Sequence, residues 1–182
     1  MATWGRGESA WVRGAQAGSV SDLEALFRAH WPRAYRAAYL VVHDAAAAED
    51  IAQEAFLAAV RSLHRFDRRR PFGPWLHRIV VNRAIDWARA RALRGEVGQD
   101  ALALVAAPHG NPAPAAAPLS QELAAGLASL PPDQRAVVVL RYVLEYTPGE
   151  IAELLDLPRG TVNSRLRRGL DRLLDRLPED AT

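Results

Sequence analysis

The sequence predicts an all-α protein of two small helical domains joined by a flexible linker, and three observations carry that expectation. Apolar residues recur at helical spacing, and the short β-branched runs at 41–42, 80–81 and 137–139 lie inside longer helical patterns. Residues 95–118, GEVGQDALALVAAPHGNPAPAAAP, lose that period and gather Pro, Gly and Ala, which reads as an extended, mostly unstructured connector. Capping residues punctuate the chain on both sides of it, giving domains at 1–94 and 119–182.

In the first domain, Ser21 with Glu24 makes a capping box. Leu23, Leu26, Phe27, Ala34, Tyr35 and Ala38 supply apolar positions around Pro32, so a helix or a Pro-kinked pair starts there. Asp44 caps a second helix over 44–63, and Pro74 suits the first turn of a third that runs to about 94. The second domain opens with helices near 119–130 and 131–144. It continues as TPGEIAELLDLPRGTVNSRLRRGLDRLLDRL, a helix-turn-helix pattern. Thr147 caps, Pro148 takes the first helical position, Glu150 completes a capping box, and Ile151, Leu154 and Leu155 face inward. Asp156, Leu157 and Pro158 form the turn. On the next helix Val162, Leu166, Leu170, Leu173 and Leu177 make the buried stripe.

Composition narrows the function. With 49% hydrophobic residues among 182, the chain can build real cores, so wholesale disorder is not expected. It has no cysteine, which excludes disulfides and thiolate-held metals, and its 5 histidines are scattered, so neither metal nor cofactor is expected. The N-terminus lacks a signal peptide, and no stretch is long enough to span a bilayer; a cytoplasmic protein without membrane insertion is the expectation. No further domain is expected after Leu177.

All 23 basic residues are arginine, and they are segregated. Ten lie between Arg61 and Arg94 against only Asp67 and Asp86, whereas Asp44 to Glu54 carries four acids and no arginine. A GC-rich genome explains Arg over Lys but not this separation, which suggests one polyanionic and one basic partner.

Three surfaces follow. On the helix-turn-helix, Thr161, Ser164 and Arg168 point away from the buried stripe, while Asn163, Arg165 and Arg167 flank it and Arg159 opens the helix. Arginine bonds guanine edges or phosphates and Asn pairs with adenine, so such a helix can read duplex DNA. The alternative is an amphipathic helix of a bundle.

In the first domain Arg78, Asn82, Asp86 and Arg89 share one stripe behind Trp75, and the loop Arg65, Phe66, Asp67, Arg68, Arg69, Arg70, Pro71, Phe72 interleaves arginines with aromatics. Arginine neutralises phosphate and aromatic rings accept unstacked bases, so this region suits single-stranded or melting DNA, although the rings can equally anchor the loop. The third surface lies on the second helix. Asp50, Gln53, Glu54, Leu57 and Arg61 share one side there, and Leu57 is apolar on a charged face, as in a docking patch or a solvated face.

Taken in order, AEDIAQEAFLAAVRSLHRFD at 48–67, FGPWLHRIVVNRAIDWAR at 72–89, LASLPPDQRAVVVLRY at 127–142 and EIAELLDLPRGTVNSRL at 150–166 resemble the sigma-70 family of RNA polymerase sigma factors, in its extracytoplasmic-function group. The resemblance implies a non-enzymatic factor that binds core RNA polymerase and promoter DNA, with a region-two-like first domain and a region-four-like second one. It implies that Asp50, Gln53 and Glu54 dock on the clamp helices of the largest subunit. The loop around Phe66 and Asp67, with Asn82, would capture a flipped base of the minus-ten element, and the helix carrying Arg159 to Arg168 would read the minus-thirty-five element. Such factors are usually held by a separate anti-sigma protein, which implies that partner too. Two positions depart from the pattern: Asn163 stands where the family commonly has Lys or Arg, and Glu145 where a Gly often precedes the helix-turn-helix.

Two other functions compete. A helix-turn-helix regulator that binds operators without carrying polymerase would use the second domain but leave the first without a purpose. A DNA-processing enzyme would need a nucleophile or metal carboxylates beside the basic surface, and only Asp67 and Asp86 lie there.

Overall fold

The structure, a computed structural model, describes residues 6–95 and 121–176, and every element in them is helical. In order they are α1 (Arg6–Gln16), α2 (Val20–Val42), α3 (Ala45–Ser62), a 3-10 turn (Leu63–Arg65), α4 (Phe72–Leu93), α5 (Gln121–Ser129), α6 (Pro132–Tyr142), α7 (Pro148–Leu155) and α8 (Arg159–Leu174). Apart from Gly95, the expected connector at 95–118 lies outside the described residues, as does Leu177.

The first helix of the bundle, α1, is absent from the sequence expectation, and the start of α2 is shifted. Ser19, not Ser21, is the N-cap: its hydroxyl accepts the Asp22 N–H at 3.3 Å. Ser21 already lies in the first turn, and Glu24 bonds Arg28 one turn on at 2.6 Å in place of completing a capping box. Pro32 sits inside a helix that continues on both sides. Asp44 caps α3 as expected, its carboxylate accepting the Ala47 N–H at 2.9 Å.

The start of α4 is preceded by Pro71, which has no side-chain cap to offer. The Glu8 carboxylate of α1 supplies it, accepting the Phe72 N–H at 2.7 Å. Gln16 at the other end of α1 donates to the carbonyls of Leu63 and Phe66 at 2.9 and 3.0 Å. Together these bonds brace the arginine-rich loop from below.

In the first module α2 packs on α1, α3 and α4, with Leu26, Leu40, Leu76, Val80 and Val81 fully buried. In the second, α6 packs on α7 and α8 around Leu130, Val137, Val139, Leu140 and Ile151. Thr147 and Glu150 form the reciprocal capping box expected at α7, and Asp156 closes that helix in the left-handed region at φ 55°. Phe27, one of the apolar positions read around Pro32, is 39% exposed and rests on Trp31 and Phe56 at 4.9 Å each.

The modules also pack on one another, α2 and α4 against α6, α4 against α7, and α2 against α5. Arg135 of α6 is buried there. Its guanidinium donates to the carbonyls of Ala128 and Leu130 at 2.7 and 2.8 Å and, across the junction, to that of Val41 at the end of α2.

Candidate DNA-binding and protein-docking surfaces

On α3, Ile51, Ala55, Phe56 and Ala59 are buried, which turns Asp50, Gln53, Glu54 and Leu57 outward, all four exposed. Leu57 is 54% exposed. Gln53 donates to Glu49 at 3.2 Å, and Glu54 forms an ion pair with Arg83 of α4. Val60, also on α3, is 40% exposed, and with Phe27 it adds apolar surface to this side.

The loop over 65–70 is an ordered turn. The Asp67 carboxylate accepts the Arg69 N–H at 3.0 Å, and its carbonyl accepts the Arg70 N–H at 3.0 Å. Arg65, Asp67, Arg68, Arg69 and Arg70 are exposed, and the last three, with Pro71, Glu8, Ser9 and Val12, line an open cleft of about 250 Å³. Phe66 is 8% exposed; its ring lies 4.6 Å from Trp75 and 5.9 Å from Phe72. It anchors the loop with Phe72, while Trp75 remains half-buried. Along α4, Arg78, Asp86 and Arg89 are exposed and Asn82 half-buried; Leu76, Val80 and Ala84 face the core, and Trp87, half-buried, carries Arg91 over its ring at 5.2 Å.

On α8, Arg159, Asn163, Arg167 and Arg168 are exposed. Thr161 and Ser164 are half-buried, the Ser164 hydroxyl donating back to the Thr161 carbonyl at 3.0 Å, and Arg165 is half-buried against Asp133 of α6 at 3.2 Å. The inner side carries Val162, Leu166 and Leu173, with Gly169 buried and Leu170 only half-buried.

Asp133 went unnoticed in the sequence. It also accepts from Arg89 of α4 at 2.6 and 3.3 Å, a link across the modules that no local pattern signals. A second such link is the 2.7 Å hydrogen bond between His77 of α4 and the Tyr146 hydroxyl. Burial, aided by His30 and Arg33, holds the His77 imidazole down to about 3, and burial with Arg135 does the same for His43, also to about 3. Burial also lowers Arg135, to about 10, and raises the Tyr146 phenol. No group of His, Asp and Glu among the described residues could hold a metal ion, and no described helix is long and apolar enough to cross a membrane.

An ordered arginine loop, a polar helix face behind it, a helix-turn-helix and a separate acidic face define a two-module helical DNA-binding protein that also docks on another protein. The pattern of Sigma-70 region 2 matches residues 26–94 and that of Sigma-70, region 4 matches 120–173. The chain is 34% identical over 153 residues to the ECF RNA polymerase sigma factor SigW of Bacillus subtilis, covering 79% of this chain and 82% of SigW. It is 39% identical over 136 residues to the protein described as Probable RNA polymerase sigma factor RfaY of Xanthomonas campestris, covering 72% of this chain but 34% of that protein's length. Among solved structures, CnrH in complex with the cytosolic domain of CnrY superposes with a TM-score of 0.70 at 27% identity, covering 96% of this chain and 99% of CnrH. The chain therefore belongs to the sigma-70 family, in the extracytoplasmic-function group of RNA polymerase sigma factors, and directs promoter-specific transcription.

Proposed function

We propose that the three surfaces divide the work of initiation as follows. Asp50, Gln53, Glu54 and Leu57 dock on core polymerase. The turn carrying Arg65, Asp67, Arg68, Arg69 and Arg70, with Trp75, Arg78, Asn82 and Arg89, holds the minus-ten element as it melts, and Phe66 anchors that turn. Arg159, Thr161, Asn163, Ser164, Arg165, Arg167 and Arg168 serve the minus-thirty-five element. The boundaries 1–94, 95–118 and 119–182 separate the two DNA-reading units from the connector between them. The observation that carries this reading is the arginine turn itself. Asp67, Gln16 and Glu8 hold it rigidly at the start of α4, so its cations feed straight into the exposed stripe of that helix.

Duplex attachment alone would need only the arginines, whereas melting needs a place for an unstacked base, a role this reading gives to Asn82 together with the turn around Asp67. The protein acts without catalysis of its own, in the cytoplasm with polymerase. An anti-sigma partner belongs to the same reading; the similar CnrH was solved in complex with a second protein, the cytosolic domain of CnrY.

The deciding experiment is a permanganate footprint of promoter opening by core polymerase with wild-type chain or Asn82→Ala, on duplex and on artificially bubbled templates. The variant is expected to bind polymerase normally, open duplex poorly, change preference at one downstream base and recover on the bubble. Normal opening with unchanged base preference would remove Asn82 from the site.

A further inference from the structure

Each module contributes one arginine to a single carboxylate. Asp133 receives Arg89 of α4 through two hydrogen bonds, Nη2 to Oδ1 at 2.6 Å and Nε to Oδ2 at 3.3 Å, and Arg165 of α8 through Nη1 to Oδ1 at 3.2 Å. Two parallel guanidinium bonds to paired oxygens are also the way arginine grips a phosphate. Asp133 sits in the first turn of α6, where the helix macrodipole favours a negative group. Arg89 and Arg165 belong to the two surfaces assigned above to DNA, so neither can offer these donors to a phosphate while Asp133 holds them.

We propose that Asp133 is an autoinhibitory latch: it stands in for a DNA phosphate, keeps the two modules closed on each other, and is displaced when promoter DNA takes Arg89 and Arg165. This inference rests on the assignment of both arginines to DNA. The latch is weak by construction. The side chains of Asp133, Arg89 and Arg165 are 28%, 50% and 23% exposed, so water and salt screen the pairs. It biases the free protein toward the closed form, and a promoter held by polymerase overcomes that bias.

The test uses the full chain in the absence of polymerase. Because the sequence has no cysteine, Ala29→Cys and Glu153→Cys on exposed positions of α2 and α7 allow a dye pair across the modules. Asp133→Asn should lower energy transfer in the free protein and raise affinity for a promoter duplex about threefold to tenfold. It should also steepen the dependence of log K on log salt by up to about 2, because salt then no longer loosens a carboxylate that competes with DNA phosphates for the two arginines. Arg89→Ala should lower energy transfer equally, and adding Asp133→Asn to it should lower it little further. Unchanged energy transfer and affinity in Asp133→Asn would overturn the latch. So would an equal gain from Asp171→Asn, an exposed acid on α8, since bulk charge would then suffice. Failure of both wild type and Asp133→Asn to start transcription with core polymerase would instead count against the sigma-factor assignments, and the energy-transfer result would still decide the latch.

Discussion

Glu145 holds a left-handed backbone, φ 62°, where α6 turns toward α7. A residue with a Cβ pays about 1–2 kcal/mol for that conformation and glycine almost nothing. That gives a physical reason for the glycine the resemblance puts at this place. Glu145 is exposed, so Glu145→Gly removes the strain without removing packing, offset in part by the larger freedom of the unfolded chain. The variant is expected to gain about 0.5–1 kcal/mol in urea unfolding; a loss would mean the side chain makes a contact that outweighs the strain. Glu8 poses the opposite case, since one carboxylate caps α4 at 2.7 Å and lies 3.3 Å from the His30 ring. Glu8→Ala leaves the Phe72 N–H and the loop above it unsupported, with an expected cost of about 1–2 kcal/mol. Reduced protection of the amides at 66–72 in hydrogen exchange is the local readout.

Among the elements, α8 depends on its closest approach to α6. A Cβ on Gly169 would lie 3.0 Å from Val138 Cγ2 and 3.7 Å from the Gln134 backbone carbonyl, so a side chain on that turn of α8 presses on Val138 and leaves little room for anything larger than a methyl. Gly169→Leu should destabilise the second module by about 1–3 kcal/mol through overpacking. Upstream DNA binding should fall in parallel, because Arg167 and Arg168 precede the displaced turn; unchanged denaturant midpoint would show that the helices separate at low cost. Elements with their own caps were legible in the sequence: Asp44 before α3, and Thr147 with Glu150 at α7. The outward set Asp50, Gln53, Glu54 and Leu57 followed from period alone. By contrast α1 was missed, since it buries little besides Val12 and is secured by Glu8 and Gln16 reaching residues 64, 47 and 50 positions away. Phe66 and Arg165, both assigned to DNA from the sequence, also serve their own fold, which the sequence hides because an aromatic in a loop or an arginine on a helix reads the same whether it meets DNA or its own fold.

At the scale of the whole molecule, the junction between modules traps histidines in their neutral form. His77 of α4 faces Tyr146, Arg33 and His30, and His43 at the end of α2 lies beside Arg135 of α6. Among the described residues, both His43 ring nitrogens and Nε2 of His77 are buried without a hydrogen-bond partner, so no acceptor there stabilises a proton on them. Both imidazoles sit near 3 in the folded protein against the ordinary 6.5. A depressed histidine contributes stability that is complete above 6.5. That stability is lost as the pH falls from 6.5 toward 3, because the unfolded or separated chain takes up the proton first. The loss is about 2 kcal/mol per histidine at pH 5. Urea midpoints should therefore drop steeply between pH 7 and pH 5. His43→Leu should flatten about half of that slope, since the substitution removes a titrating group but no hydrogen bond. A midpoint independent of pH across that window would show that the junction admits water to these rings, and that the modules do not close on them as described.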